Sequence, residues 1–246
     1  MISLITVVYN DYFGLSKTID SVKAQRSSPG NVLNYEHLII DGASTDLRIK
    51  TLINSSGLNY ISEPDSGIYD AMNKGIKYSK GQWLLFLNAG DTLENDNVLL
   101  NLFNEIESSA DVNMLYGCYR ADGVLQKQVC TLPLLNAYMI NHQSMIYHRS
   151  LLEHGYDIRY RFCADYAHLL SVWPHLKPKA LDLCIANFDT TGVSSQASNK
   201  ARMWQERLYA VWRSDLSFTQ KLMLSRRGIM ALPYHSIKNC LRKDEK

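Results

Sequence analysis

The chain has 246 residues, 46% of them hydrophobic and 20% charged, with a formal net charge of +2. That length allows one large domain, or one domain with a modest extension, and the composition excludes a disordered chain, a collagen-like repeat and a long coiled coil. The near-neutral total hides an asymmetry. Residues 1–199 hold 15 Lys/Arg and 20 Asp/Glu, whereas residues 200–243 hold ten Lys/Arg against Glu206 and Asp215, so an acidic body and a basic tail predict two surfaces with different partners.

Residues 2–9 (ISLITVVY) are rich in β-branched side chains and predict a buried strand. Residues 14–25 follow with helical spacing, and Pro29-Gly30 marks a break. Strands are expected over 35–40, 58–62 and 82–87, with helices over 45–55, 70–79 and 97–108. The first ~110 residues thus alternate strand and helix, as in a mostly parallel sheet covered on both faces. In the second half, residues 114–120 and 124–130 predict a strand pair around Asp122-Gly123, a common hairpin turn. Residues 142–148 are strand-like, 165–173 helical, and 181–189 the last strand. From Asn199 the chain predicts helices with interleaved basic and aromatic residues, interrupted at Pro233.

The five cysteines (Cys118, Cys130, Cys163, Cys184, Cys240) are odd in number and form no C-x-x-C pair. This fits reduced thiols and a cytosolic setting rather than a disulfide framework or a zinc site. The opening apolar run is too short for a secretion leader and lacks a basic start. No stretch approaches the ~18–20 apolar residues of a spanning helix. A soluble protein, or one lying on a membrane surface, is expected.

Polar residues gather at the C-terminal ends of the predicted strands: Tyr9-Asn10, Asp41, Glu63 to Asp65, and Asn88 to Asp91. Asn, Asp and Gly make turns and cap helices anyway. Four strand ends all supplying acids or amides nevertheless point to a ligand crevice, which open α/β sheets form at those ends. No G-x-G-x-x-G follows the first strand and no P-loop motif occurs, so dinucleotide and P-loop chemistry are disfavoured. Acidic strand ends suit reading a base and ribose through carboxylates and holding a divalent cation that carries a diphosphate.

Thr6-Val7-Val8-Tyr9-Asn10, Asp41-Gly42-Ala43-Ser44-Thr45-Asp46 and Asn88-Ala89-Gly90-Asp91 resemble the successive motifs of family 2 glycosyltransferases of the GT-A fold. Glu63-Pro64-Asp65-Ser66-Gly67-Ile68-Tyr69-Asp70-Ala71-Met72-Asn73-Lys74-Gly75 is the most specific match. It resembles the bacterial subgroup that builds exopolysaccharide and O-antigen units, including the colanic acid enzymes. The resemblance spans residues 1 to about 195. It implies an α/β fold of GT-A type, a mostly parallel Rossmann-like sheet with flanking helices. Residues 1–110 would be its nucleotide-sugar half and 111–195 its acceptor half, followed by a helical extension over 196–246.

The resemblance also implies roles. Thr6, Val8, Tyr9, Asn10 and Asp41 would form the nucleotide site, with Tyr9 against the base and Asp41 accepting from a base N–H. Asp65, Gly67, Asp70, Asn73, Lys74, Asn88, Ala89 and Gly90 would face the donor sugar and diphosphate. Asp91 would bind Mg²⁺ or Mn²⁺. Asn88 and Gly90 stand where many members carry aspartates, which weakens the metal site. Helical spacing puts Asp70, Asn73 and Lys74 on one face, where Asp70 and Lys74 could equally be a surface ion pair. Asp165, opening an apolar helical run, would be the general base, taking the proton of the acceptor hydroxyl. Asp157 and Asp189 lack that context. His142 and Gln143 would lie on the acceptor side, while His148 and His154 are surface residues. Thr190-Thr191-Gly192-Val193-Ser194 resembles a closing loop over the diphosphate.

The implied partners are a nucleotide-diphosphate sugar, UDP- before GDP-, and a polyprenyl-diphosphate-linked glycan acceptor. The basic, aromatic tail would dock on the cytoplasmic face of the inner membrane. Nucleic acid is not expected as a partner. Two other readings compete. A sugar-1-phosphate nucleotidyltransferase would want a cationic loop where Asn10-Asp11-Tyr12-Phe13-Gly14 stands. A non-catalytic sugar-nucleotide or glycan-binding module would explain Asn88 and Gly90.

Overall fold

A computed structural model of the chain describes residues 1–27, 33–136, 139–192 and 197–241, with side chains to 232. Pro29-Gly30, Val193-Ser194 and the end of the basic tail lie outside the described residues. The chain forms two compact units. The first comprises residues 1–128, 141–156 and 176–189, and the second 129–140, 157–175 and 190–246.

The first unit opens with β1 (Ile2–Val8), buried at every position, as a strand covered on both faces must be. Then come α1 (Tyr12–Lys23), β2 (Tyr35–Asp41), α2 (Leu47–Ser56), β3 (Asn59–Ser62), α3 (Ile68–Tyr78), β4 (Trp83–Phe86), β5 (Thr92–Leu93) and α4 (Val98–Glu107). β6 (Met114–Ala121), β7 (Val124–Gln126), β8 (Met145–His148) and β9 (Pro178–Phe188) complete the sheet. Its order is β3-β2-β1-β4-β8-β6-β9-β5, with β7 paired to β6. β3, β2, β1 and β4 are mutually parallel, as expected. Beyond β4 the sheet is mixed: β8 is antiparallel to β4 and β6, while β9 runs parallel to β6.

Two apolar clusters hold the unit. Ile2, Leu4, Leu85, Leu115 and Ile146 of the sheet pack with Val98, Leu99 and Leu102 of α4. Val8 and Ile39 pack with Leu15 and Ile19 of α1 and Ile49 and Ile53 of α2. α3 packs on β1 and β2. The helices start where local chemistry dictates. Asp11 caps α1 by accepting from Gly14 N, and Asp46 caps α2 by accepting from Arg48 N.

Three expectations are corrected. The second hairpin strand ends at Gln126, because the Gln128 side chain leaves the ladder to donate to Gly117 O at 2.8 Å and Ser144 Oγ at 2.6 Å. Residues 142–144 form a 3₁₀ turn, and only Met145–His148 are strand. The second unit contains α5 (Ala164–Val172), α6 (Lys200–Arg213) and α7 (Phe218–Leu241). α7 runs on past Pro233, since a proline costs a helix one hydrogen bond and bends it more readily than it ends a long one. No helix among the described residues is long and apolar enough to cross a membrane.

One of the buried titratable groups is a histidine within the parallel half of the sheet. His37 of β2 is 4% exposed, and its Nε2 is hydrogen-bonded to Thr6 Oγ1 at 2.9 Å. Burial first, then the charge of Lys23, lowers its pKa to about 4. The unfolded chain therefore takes up a proton below about pH 6.5 that the folded chain refuses until about pH 4. Stability is lost as pH falls through that window. Urea unfolding of His37→Gln, which can keep a bond to Thr6, should show an acid-side loss smaller than wild type by ~1–3 kcal/mol. Equal losses would remove His37 as the cause.

Candidate active site at the strand ends

The parallel register brings the C-terminal ends of β1, β2 and β4 to one edge: Val8 pairs with Asp41, and Ile5 with Phe86. Beyond those ends the loops are tied by polar side chains. Asp41 is fully buried. Its Oδ1 accepts from Ser44 N at 3.0 Å and its Oδ2 from Ser62 Oγ at 2.6 Å. Asn10, at φ 54°, donates its N–H to Ser44 Oγ at 2.8 Å, and its Oδ1 accepts from Thr45 N at 2.8 Å. Tyr9 is 65% exposed, whereas Thr6 and Val8 are buried beneath it. Gly42 is the neighbour that sequence reasoning passed over. A Cβ there would stand 2.3 Å from Asp65 Oδ2 and 3.4 Å from Tyr9 Cδ2, so glycine lets Tyr9 and Asp65 close on one spot.

The donor-side candidates on the third loop and α3 carry local bonds. Asp65 Oδ1 accepts from Gly67 N at 2.9 Å. Asp70 Oδ2 accepts from Ser66 N at 2.9 Å, and that backbone N–H holds its carboxyl below the usual range. Asn73 straps residue 156 through both amide atoms, donating to Tyr156 O at 2.8 Å and accepting from Tyr156 N at 2.7 Å. Lys74 Nζ donates to Pro64 O at 2.5 Å and pairs with Glu63 Oε1 at 3.2 Å. Its ion-pair partner is thus Glu63 from the preceding loop.

Asp91 is 1% exposed. Its Oδ1 accepts from Asp189 N at 2.8 Å and its Oδ2 from Gln143 Nε2 at 2.9 Å. Burial outweighs those two bonds and raises its pKa to about 6. Gly90 has φ 99°, and a Cβ there would lie 2.7 Å from Asp189 Oδ2. Ala89 joins the sheet edge by donating its N–H to Val7 O at 3.1 Å. Asn88 Nδ2 lies 3.3 Å from His142 Nε2. Asn88 Oδ1 and Gln143 Oε1 are buried without a hydrogen-bond partner. His142 and Gln143, expected on the acceptor side, therefore touch Asn88 and Asp91. Asp189, set aside in the sequence, lies beside Asp91. Its signal was only its place at the end of the last predicted strand.

These residues offer hard oxygen ligands: the Asp91 and Asp189 carboxylates and the unpartnered Asn88 Oδ1. No group of three His, Cys, Asp or Glu converges on one point among the described residues. The set fits a Mg²⁺- or Mn²⁺-type cation that draws its remaining ligands from phosphate and water.

Asp165 belongs to the second unit. It stands in the first turn of α5, 8% exposed, and its Oδ1 accepts from Tyr166 N at 2.9 Å. Asp157 is engaged by Arg159 at 2.6 Å, which holds its carboxyl low.

Residues 3–154 match the model of glycosyl transferase family 2. An uncharacterized glycosyltransferase of Mycobacterium tuberculosis is 32% identical over 212 residues, covering 81% of this chain and 79% of the relative. Residues 1–349 of TarS from S. aureus, solved in complex with UDP-GlcNAc, superpose with a TM-score of 0.71 at 15% identity, over 93% of this chain and 71% of that one. The mannosyltransferase PcManGT from Pyrobaculum calidifontis, solved with GDP-Man and Mn²⁺, gives 0.69 at 14% identity, over 96% and 73%. The chain belongs to glycosyl transferase family 2 and has its GT-A fold, a mixed α/β sheet flanked by helices. It is a glycosyltransferase, which sets aside the nucleotidyltransferase and the non-catalytic binding module.

Asp91→Asn makes the burial of Asp91 measurable. In the variant one amide oxygen still accepts from Asp189 N, and a rotated Gln143 amide can use its unpartnered oxygen. Metal-free Asp91→Asn should be more stable than wild type at pH 7.5 by ~1–3 kcal/mol in urea unfolding. The advantage should shrink as pH falls from about 6 toward 4, where the wild-type carboxyl also becomes neutral. A variant less stable at pH 7.5 would refute the burial cost.

Proposed function

We propose that this chain is an inverting glycosyltransferase. It moves a sugar from a nucleotide-diphosphate donor, UDP- before GDP-, onto a polyprenyl-diphosphate-linked oligosaccharide. The setting is bacterial surface polysaccharide synthesis of the O-antigen or exopolysaccharide kind. The observation that carries the donor side is Asp91: a buried carboxylate of raised pKa beside Asp189 and an unpartnered Asn88 oxygen. Such a carboxylate calls for positive charge nearby. The nucleotide sugars and Mn²⁺ bound by TarS and PcManGT support the same reading.

The base lies against exposed Tyr9, and Asp41, whose bonded oxygens keep further lone pairs, accepts from a base N–H. Thr6 and Val8 support that floor from the core, and Asn10 fixes the loop. Asp65, Gly67, Asp70, Asn73 and Lys74 shape the donor-sugar side, several of them through the bonds that hold their loops. Asn88, Ala89 and Gly90 face the diphosphate. A divalent cation, Mg²⁺ or Mn²⁺, supplies charge neutralisation for the leaving diphosphate when bound, and Asp91, Asp189 and Asn88 would hold it. His142 and Gln143 orient Asn88 and Asp91. In the transfer, the acceptor oxygen attacks the anomeric carbon as its bond to the diphosphate breaks, and Asp165 takes the hydroxyl proton. Residues 1–195 form the transferase, and 196–246 the docking segment.

The exposed face of α7 supports that docking. Phe218, Leu222, Ile229 and Met230 are 65%, 45%, 59% and 71% exposed. With Arg226 they recur at helical spacing on one side, while Leu224 and Ser225 are buried on the other. An apolar stripe edged by Arg226 and Arg227 suits the interface of an anionic membrane.

Asp165→Asn should lower transfer by ~10²–10⁴-fold while calorimetry shows UDP binding unchanged; full turnover would remove Asp165 from the base role. The pair Leu222→Glu/Ile229→Glu should keep the wild-type melting temperature. It should lose most of its co-sedimentation with phosphatidylglycerol vesicles. Undiminished co-sedimentation would defeat the docking face.

A further inference from the structure

α5 has no cap of its own: Cys163 stands at its N-cap and makes no side-chain cap bond. The backbone N–H groups that precede the helix go instead to one carboxylate from α6. Glu206 Oε1 accepts from Arg161 N at 3.1 Å, and Oε2 accepts from Phe162 N at 2.8 Å and from Cys163 N at 3.2 Å. Those groups would otherwise be left without intrahelical partners. The negative charge also meets the positive end of the helix.

The next residue of α6 grips the other side. Arg207 is 7% exposed. Its guanidinium lies 4.7 Å from the Tyr166 ring centroid and 4.3 Å from that of Trp204. Its Nη2 donates to Leu135 O at 2.6 Å. Asp165 sits between the two grips, two residues after Cys163 and one before Tyr166. Two successive residues of α6 thus fix the chain on both sides of the carboxylate. The family-model match ends at residue 154, so both α5 and its clamp lie beyond it.

We propose that Glu206 is a positioning residue for Asp165. Its carboxylate sets the backbone at 161–163 and, with Arg207 on Tyr166, fixes where the first turn of α5 aims the Asp165 side chain. The proposal rests on Asp165 being the general base. A base acts only at hydrogen-bond distance from the proton it takes, so a loosened first turn costs rate without costing donor affinity.

The test uses the full chain with a nucleotide-sugar donor. Glu206→Ala should lower kcat ~10–100-fold and leave the donor KM and UDP binding within about twofold. Glu206→Gln, which keeps one oxygen for Phe162 N and Cys163 N, should recover most of that loss. Added to Asp165→Asn, Glu206→Ala should cause no further fall, because both act through one group. Should the alanine variant not fold, Glu206→Asp keeps the charge but withdraws the carboxylate, and should show the same split. A folded Glu206→Ala or Glu206→Asp variant with wild-type kcat beside an inactive Asp165→Asn overturns the positioning role alone. So does a loss that multiplies in the double variant. Full turnover by Asp165→Asn overturns the base reading itself, and the positioning role with it.

Discussion

Asp91 sets the terms for the first unit. A carboxylate 1% exposed can persist only if other groups replace the water it has lost. Here the replacements come from far along the chain: the backbone N–H of Asp189 and the amide of Gln143. Those two bonds tie the loop after β4 to the end of β9 and to the 3₁₀ turn before β8. They do not restore the full solvation of a charge, which is why the pKa rises to about 6. The residual cost is what a positive charge beside the carboxylate can offset. An apolar residue at 91 would tie nothing, and an exposed aspartate would hold a cation without being organised by it.

The strained backbone lies where that organisation is needed. Among the described non-glycine residues, positive φ is found at Asn10, Ala43 and Asp122. Asp122 makes the hairpin turn with Gly123, but Asn10 and Ala43 sit in the loops after β1 and β2. Asn10 is held there by bonds to Ser44, Thr45 and Asp46. Ser44 in turn is fixed by buried Asp41. Backbone in a sparsely populated region persists only when its surroundings over-determine it. The polar residues at these strand ends therefore do two jobs. They hold the loops, and they leave Tyr9 exposed above a buried floor.

What the sequence revealed follows from the range of the interactions. Alternation and local capping are written within a few residues, so β1, β2, β4 and the helices between them were legible, as was the Asp122-Gly123 hairpin. The acids at strand ends were legible because they stand next to apolar runs. The Asp91–Asp189 contact was not, because 98 residues separate the two and neither strand announces the other. Residues 142–144 (His-Gln-Ser) lead directly into the apolar run of β8 and so read as its start, but buried Gln143 turns toward Asp91 and the backbone forms a 3₁₀ turn. Glu206 was hardest to see. In the composition it was one of two acids in a basic tail, and nothing local marks it as the cap of a helix that begins 42 residues earlier.

That cap changes what the basic tail is. α6 buries Arg207, Ala210 and Val211, and α7 buries Leu224 and Ser225, all within the second unit. The remaining faces carry the exposed aromatic, apolar and basic residues. One segment thus combines an inner face that holds the helix bearing Asp165 with an outer face chemically suited to a membrane. Deleting residues 200–246 would remove both at once, and a loss of activity after such a deletion could not be assigned to either. Substitutions on one face at a time separate them, because the inner contacts are hydrogen bonds and ring packing at Glu206 and Arg207, while the outer stripe begins at Phe218 and touches neither. If both proposed roles hold, α6 fixes the chain around Asp165 while α7, separated from α6 by four residues, carries the docking face.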